Sequence, residues 1–490
     1  MPLERKRLID IFGTERVFDD EKTLLEYAKD QSFSPARKPD FVVFAEKVEE
    51  VQRLMGLANE TLSPVIPYSS GLNFHGAALP DHGGIILNLS RMNKILHIDE
   101  KNWFAVIEPG VGYKQLQDEL MKKGFRIMIP LGVAPKRSVL TSYLERDPVL
   151  AAPSFEHGNS LIMDTEIILP DGVIFKTGLW SAGGKPGGSM GPVRNVLYRL
   201  WTGAQGTLGI MTKMGIQIHP FIKERKVYFI PFNDLSEAIE PIKRIQSREV
   251  GMESFLLNRF NLAALLSEEW NIPDTFPTSP KPSGSFEQLR TILPPWVMII
   301  CIHGGLRQPA KKIAYEEEAL KEICSTLHVE LKETLPGMRG LDRCILDELI
   351  YPWGILKKFN YRGSVHDLNF KSPLNDIDKM ESMINKVCHG EGYDTSSLGV
   401  YLLPLERGRA IHGEFDLHCD LEDLRETQKV KHLWLTVSEA LMNHGAYFDR
   451  PYGAWAEMVY HRSGNYTEKL REIKAEIDPH GILNPGKLCF

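Results

Sequence analysis

The sequence predicts a mixed helix-and-strand protein of two domains, and three observations carry that expectation. The chain is 490 residues long, more than one hydrophobic core usually fills. Up to residue 222, short β-rich runs alternate with stretches of helical periodicity. From residue 223 the pattern changes to longer helical segments set between short apolar runs.

The elements follow in order. DFVVFAEKVEEVQRLMGLANETL, residues 40–62, opens as a strand and continues as a helix, with Val48, Val51, Leu54 and Leu57 at helical spacing. Val65-Ile66 is the next strand, and PYSSGLNFHGAALP after it is a loop. GGIILNLSRMNKILHID and WFAVIEPGVGY are β-rich, and YKQLQDELMKKG is helical. LIMDTEIILPDGVIFKTG reads as strand, Pro-Asp-Gly turn and strand, and LGIMTKMGIQIHP as a further β run. In the second region VYFIPF and WVMIICIHGG are strands, AKKIAYEEEALKEICSTL is a helix, and IPDTFPTSPKPSGSFEQ is a surface loop. The end, TEKLREIKAEIDPHGILNPGKLCF, is an amphipathic helix and a tail punctuated by Pro and Gly.

Composition narrows the function classes. With 43% hydrophobic and 25% charged residues the chain is ordinary globular material. A net charge of -6, from 58 basic and 64 acidic residues, gives no global attraction to nucleic acid or anionic membrane, so any anion is caught locally. The six cysteines lack C-x-x-C spacing, which points to reduced thiols rather than a zinc ribbon or disulfide framework. The charged start MPLERKRLIDIFGTERVF lacks the apolar run of a secretory signal, and no apolar stretch approaches the ~20 residues of a membrane span. The expected location is cytoplasmic.

Four glycine-bearing elements carry the chemistry: Gly71 to Gly76, Pro109 to Tyr113, Gly183 to Gly188, and Gly203 to Ile210. Glycine permits positive φ and close backbone approach, so consecutive amides can converge on an anion. Neither G-x-x-x-x-G-K-[ST] nor a strand–helix G-x-G-x-x-G is present. Four such elements beside small polar residues, without a basic cluster, suit one extended ligand held by backbone, such as a dinucleotide.

Taken in order, PYSSGLNFHGAALP, GGIILNLSRMNKI, AVIEPGVGY, LIMDTEIILPDGVIFKTG, LWTGAQGTLGIMTKM and IDPHGILNPGK resemble the vanillyl-alcohol oxidase / p-cresol methylhydroxylase flavoproteins. The resemblance implies an α+β fold. Residues 1–222 would form an FAD-binding domain of two subdomains, to which 446–490 return. Residues 223–445 would form a cap with a large antiparallel sheet, flanking helices and the substrate site. It implies that Pro67, Tyr68, Ser69, Ser70, Gly71, Leu72, Asn73, His75 and Gly76 hold the FAD pyrophosphate. Pro109, Gly110, Val111, Gly158, Asn159, Leu161, Gly206, Gly209 and Ile210 would line the rest of the cofactor, with Asn484 and Lys487 closing over it.

The implied activity is hydride transfer from an alcohol or a benzylic or allylic carbon to flavin N5. A 2-hydroxy-acid dehydrogenase and a flavin-binding electron-transfer or scaffold subunit are the alternatives. Arg450 matches the family arginine that stabilises a substrate phenolate, against the plainer reading of a salt bridge with Asp449 or another carboxylate. The phenol-oxidising relatives have tyrosines where this chain has His75 and Asp449, so a 4-hydroxybenzyl substrate is in doubt. Gly399 falls at the position of the family's flavin tether, so FAD is expected to be non-covalent, with Tyr401 nearby. Glu156 and His157 match an Asp-His pair near N5 and are candidates for the proton. His418 is expected to face the pocket, while His366, His412 and His418 lack the ligand pattern of the metal-dependent relatives, so no metal is expected. The expected partners are a small-molecule substrate, an electron-acceptor protein and further copies of the chain.

Overall fold

The computed structural model describes residues 3–72, 75–151, 158–184, 197–270 and 284–490. The first sheet is formed by β1 (Val17–Phe18), β2 (Phe41–Phe44), β3 (Val65–Tyr68) and β4 (Ile85–Asn88), in the order β1-β2-β4-β3. β2, β4 and β3 run parallel and β1 antiparallel. The helix Val48–Thr61 crosses from β2 to β3 and buries Val51, Leu54, Met55 and Ala58 against the sheet. This is the strand–helix–strand unit that the spacing of those residues predicts.

The second sheet is antiparallel, built from β5 (Ile95–Asp99), β6 (Phe104–Ile107), β8 (Ile162–Ile168), β9 (Ile174–Lys176) and β10 (Ile210–Gln217) in the order β5-β6-β10-β8-β9. The Pro-Asp-Gly turn joins β8 to β9, which pair Glu166 with Lys176. A short pair, β7 (Phe125–Arg126) with β11 (His219–Pro220), leads out of this region. The second sheet encloses its own core, including Val111, Tyr113, Tyr143 and Leu161.

The third sheet comprises β12 (Arg225–Phe232), β13 (Glu253–Asn258), β14 (Trp296–His303), β15 (Ser364–Pro373), β16 (Gly399–Leu405) and β17 (Ala410–Cys419). It is antiparallel in the order β12-β14-β13-β16-β17-β15. One face packs on the helices Ile239–Ser247, Pro309–Leu327, Ile377–Gly390 and Leu424–Asn443. The other packs on Arg259–Leu266, Phe286–Ile292 and Leu341–Glu348. The fold is thus two smaller sheets followed by a large antiparallel cap sheet with helices on both faces. Most of the Pro- and Ser-rich stretch expected as a surface loop lies outside the described residues.

The chain then returns to its beginning. After the helix Asn465–Ile477, Leu483 bridges Val65 in parallel, and the Asn484 amide donates to the Val65 carbonyl at 3.0 Å. Lys474 donates to the carbonyls of Thr207 and Leu483 and pairs with Asp478, tying the last helix to the Gly203–Ile210 turn. Among the described residues, no helix is long and apolar enough to cross a membrane.

Candidate functional site

β3 delivers the chain to Ser69-Ser70-Gly71-Leu72, and the two serines anchor that loop. Ser69 Oγ lies 2.7 Å from Thr141 Oγ1, and Ser70 Oγ accepts from the Ser138 amide at 3.1 Å. Ser138 also caps the helix Val139–Leu144 and donates to the Pro109 carbonyl at 2.6 Å, so three segments are stitched side by side. Gly71 has φ +64, and a Cβ there would run into the Tyr68 ring. The amides of Ser70, Gly71 and Leu72 donate to no acceptor among the described residues. Unpaired amides in a glycine loop at the mouth of a cleft form an anion site, and such groups otherwise find protein partners.

That cleft has about 910 Å³ of space, part of it open to solvent. Pro67, Tyr68, Ser69, Ser70, Gly71, Leu72, Pro109, Gly206, Gly209 and Ile210 line it as expected from the sequence. Gly206 has φ +72, and a Cβ there would lie 2.9 Å from Pro67 Cγ, so glycine lets the two walls approach. Other expected residues stand behind the lining. The Gly76 amide is held by Asp30 at 2.8 Å, Gly110 donates to the Met92 carbonyl at 2.7 Å, and Val111 and Leu161 are core residues. Asn484 donates to the carbonyls of Ala77 and Gln205, and Lys487 pairs with Asp81 at 2.6 Å; both brace the cleft from outside. Gly158 and Asn159 open the 3₁₀ turn Gly158–Leu161. Asn73, Glu156 and His157 lie outside the described residues. Gln205, within the expected Gly203 to Ile210 turn, also lines the cleft, and sequence reasoning passed over Arg137, Thr141, Glu145 and Trp201, which line it too.

Beyond Leu72 and Arg137, residues common to both, the cleft meets a second cavity of about 830 Å³. Here His75, Tyr401 and Arg450 converge. Arg450 Nη1 is 2.5 Å from Asp147 Oδ1, and Arg137 Nη2 is 2.7 Å from Asp147 Oδ2, which also accepts from Ser142 Oγ at 2.6 Å. Burial alone would raise the Asp147 pKa, but the two guanidiniums hold it below the usual carboxylate range. Burial works against the charge of Arg450, and the acidic groups around it, Asp147 foremost, together raise its pKa above the ordinary value. Two guanidiniums on one carboxylate leave about one unit of positive charge at the cavity wall.

His75 Nε2 is 2.8 Å from Asp367 Oδ1, and Asn369 Nδ2 holds the other carboxylate oxygen at 2.7 Å. Burial favours neutral imidazole, yet the Asp367 charge and hydrogen bond raise the His75 pKa above its ordinary value against the repulsion of Arg450 and Arg137. The His75 ring stacks on Tyr452 with centroids 4.9 Å apart, and Tyr452 donates to Glu145.

The cap strands supply the opposite wall. Along β17, Ile411, Phe415 and Leu417 enter the core under one sheet face, so His412, Glu414, Asp416 and His418 project from the other. Register places Tyr401 opposite Glu414 and Asp367 opposite Asp416. His412, Glu414, Tyr401, Asp367 and Lys358 line the cavity. Lys358 pairs with Glu414 at 2.7 Å and Asp416 at 2.8 Å; burial pushes the Asp416 carboxyl up to about 7 despite that lysine. Among the described residues Tyr401 Oη has no hydrogen-bond partner, and burial raises its pKa well above the ordinary value.

His418, expected at the pocket, is placed elsewhere. It is fully buried, with its ring 4.8 Å from Phe260, and desolvation pushes its pKa down to about 3. Arg450 pairs with Asp147, not with Asp449, whose carboxylate goes to Lys371 at 2.7 Å. At the tether position, a Cβ on Gly399 would lie 2.5 Å from Asn261 Oδ1 and 2.7 Å from Asp416 Oδ2, leaving no room for a longer side chain. Among the described residues no group of three or more His, Cys, Asp or Glu is placed to hold a metal ion.

A cleft with unpaired loop amides, leading to a cavity with a buried cation, is built for a phosphate-bearing redox cofactor. The comparisons identify it as FAD. Residues 39–178 match the FAD binding domain model, and residues 443–488 match the FAD linked oxidases, C-terminal domain model. The chain is therefore an FAD-dependent oxidoreductase.

Its FAD binding and C-terminal domains are those of FAD-linked oxidases, and its fold is of the p-cresol methylhydroxylase type. It is 24% identical to a glycolate oxidase subunit of Bacillus subtilis, covering 99% of this chain and 96% of that protein. It is also 24% identical to the 4-cresol dehydrogenase [hydroxylating] flavoprotein subunit of Pseudomonas putida, over 97% of this chain and 93% of that one. The fold superposes on p-cresol methylhydroxylase with TM-score 0.80 at 20% identity, covering 99% and 96% of the two chains. For the 4-ethylphenol oxidase of Gulosibacter chungangensis the TM-score is 0.81 at 23% identity, with 98% and 95% covered.

Proposed function

We propose that the chain oxidises a small aromatic or otherwise apolar molecule at a hydroxyl-bearing, benzylic or allylic carbon. Bound FAD accepts the hydride; the protein orients substrate and manages charge. Pro67 to Leu72 would hold the pyrophosphate, and Leu72 and Arg137, which line both cleft and second cavity, would border the flavin ring. Arg450, backed by Asp147 and Arg137, stabilises negative charge developing on the substrate oxygen or the reduced flavin. His75, whose pKa Asp367 raises, donates to the same oxygen. Tyr401 offers a hydroxyl that has no partner among the described residues. With Gly399 at the tether position, FAD is held non-covalently.

The observation that carries this reading is the net positive Arg137–Asp147–Arg450 cluster in the cavity where His75 and Tyr401 meet. A second reading, dehydrogenation of a 2-hydroxy acid, is favoured by the same cluster together with Lys358, since paired guanidiniums suit a carboxylate. Anaerobic mixing with aryl alcohols and with D-2-hydroxy acids decides between them. Bleaching of the flavin by the first set supports the leading reading, bleaching only by the second replaces it, and bleaching by neither removes both.

A further inference from the structure

Behind His75 lies a third cavity, with about 1370 Å³ of space partly open to solvent. Its inner wall is the reverse side of the partition around the reaction cavity: His75, Val365, Asp367 and Tyr452 line both. Part of the remaining wall is aromatic. Phe33 stacks on His366 with centroids 4.1 Å apart at 14°, and stands edge-on to Trp434 at 5.9 Å. Trp434 in turn stacks on Trp455 at 4.5 Å.

The rim is cationic. Arg37, Lys431 and Lys487 line it, and both carboxylates of the lining, Asp81 and Asp367, have partners of their own. Asp81 is taken by Lys487 at 2.6 Å, and Arg37 donates to the Asp81 carbonyl. Lys431 is exposed and donates to the Phe33 carbonyl at 3.3 Å, so its charge meets no carboxylate there. Aromatic faces below and surplus positive charge above select a flat apolar body ending in an anion.

We propose that this chamber is a binding site for an aromatic carboxylate, seated with its ring against Phe33 and Trp434 and its anion toward Lys431 and Arg37. The site is separate from the hydride-transfer step. Its ligand is either the remote half of an extended substrate or a second molecule.

The test uses the FAD-loaded protein and biphenyl-4-carboxylate, read by quenching of tryptophan fluorescence, since Trp434 and Trp455 line the chamber. One-to-one saturation in the micromolar range is expected. Binding should be at least tenfold weaker for the uncharged 4-hydroxybiphenyl and for Lys431→Glu, and weaker also for Phe33→Ala. A biphenyl-4-carboxylate extended by a hydroxymethyl group separates the two sources: flavin reduction by it on binding marks the remote half of a substrate, and binding without reduction marks a second molecule. No saturation up to millimolar ligand, or equal affinity in wild type and both variants, overturns the proposal. Quenching needs no turnover, so this result stands whether or not alcohols reduce the flavin.

Discussion

Replacing Arg450 by alanine tests the charge argument most directly. Its guanidinium is only 10% exposed and 2.5 Å from Asp147. A unit charge at ~4 Å is worth roughly 4 kcal/mol at an effective dielectric of ~20. Asp147 stands behind the guanidinium and cancels part of that, leaving ~2–3 kcal/mol for an oxyanion in the cavity. At ~1.4 kcal/mol per decade, the rate of flavin reduction should fall roughly 30- to 160-fold. Folding should suffer less, because Asp147 keeps Arg137 at 2.7 Å and Ser142 at 2.6 Å and is not left as an isolated buried charge. The assay is anaerobic stopped-flow bleaching of the flavin by an aryl alcohol, with FAD content and melting temperature measured on the same samples. Arg450→Lys should recover only part of the rate, since lysine restores the charge without the two-pronged donor geometry. If Arg450→Ala binds FAD normally and reduces it within about threefold of wild type, the guanidinium serves Asp147 alone and the proposal falls.

Gly71→Ala forces a left-handed residue at φ +64, costing roughly 1–2 kcal/mol, and drives its methyl into Tyr68. The flavin-to-protein absorbance ratio after gel filtration should drop, and full loading would show that the loop does not cradle the cofactor. His75 titrates above its ordinary value in the folded protein, so its pair with Asp367 stabilises fully below about pH 6.5 and loses that contribution as pH rises through the raised value. Asp367 is held below its ordinary value, so the contribution also disappears in strong acid. The difference in melting temperature between wild type and Asp367→Asn should therefore shrink on the alkaline side; a difference that stays constant there contradicts the linkage. Guanidinium denaturation and ultrafiltration should return the FAD in the filtrate, and flavin fluorescence on the denatured polypeptide would identify a covalent bond.

The glycine loop was legible because its chemistry is local: Ser69, Ser70 and Gly71 need only each other and the end of β3. The cap's contribution was harder to read because it depends on register. AIHGEFDLHC alternates perfectly, and that period of two announces a strand with His412, Glu414, Asp416 and His418 on one face. It does not say which end of that face meets the cofactor domain. Six residues of strand separate His412 from His418 by ~20 Å, so one reaches the cavity and the other is buried beside Phe260. Asp147 and Asp367 carry no local mark at all. Each matters through a partner hundreds of residues away, Arg450 in one case and His75 in the other.

The two tyrosines missing from this chain turn out to be different kinds of loss. Asp449 does not replace a substrate donor. Its carboxylate is buried against Lys371, its carbonyl takes a hydrogen bond from Arg146, and the neighbouring Tyr447 bridges Lys371 through both backbone hydrogen bonds. Gln205 holds the Pro451 carbonyl on the far side at 3.1 Å. Residues 447–451 are thus clamped between the cap strand β15 and the glycine turn of the cofactor domain, and Arg450 is the residue that this clamp presents to the cavity. His75 is a true exchange, since it lines the same cavity as Arg450. A tyrosine there would be a neutral donor at physiological pH, whereas the imidazole paired with Asp367 brings a proton whose presence depends on pH. In the proposed reading the cavity sets a fixed cation beside a titratable donor, a pair suited to a substrate oxygen that carries negative charge during the reaction.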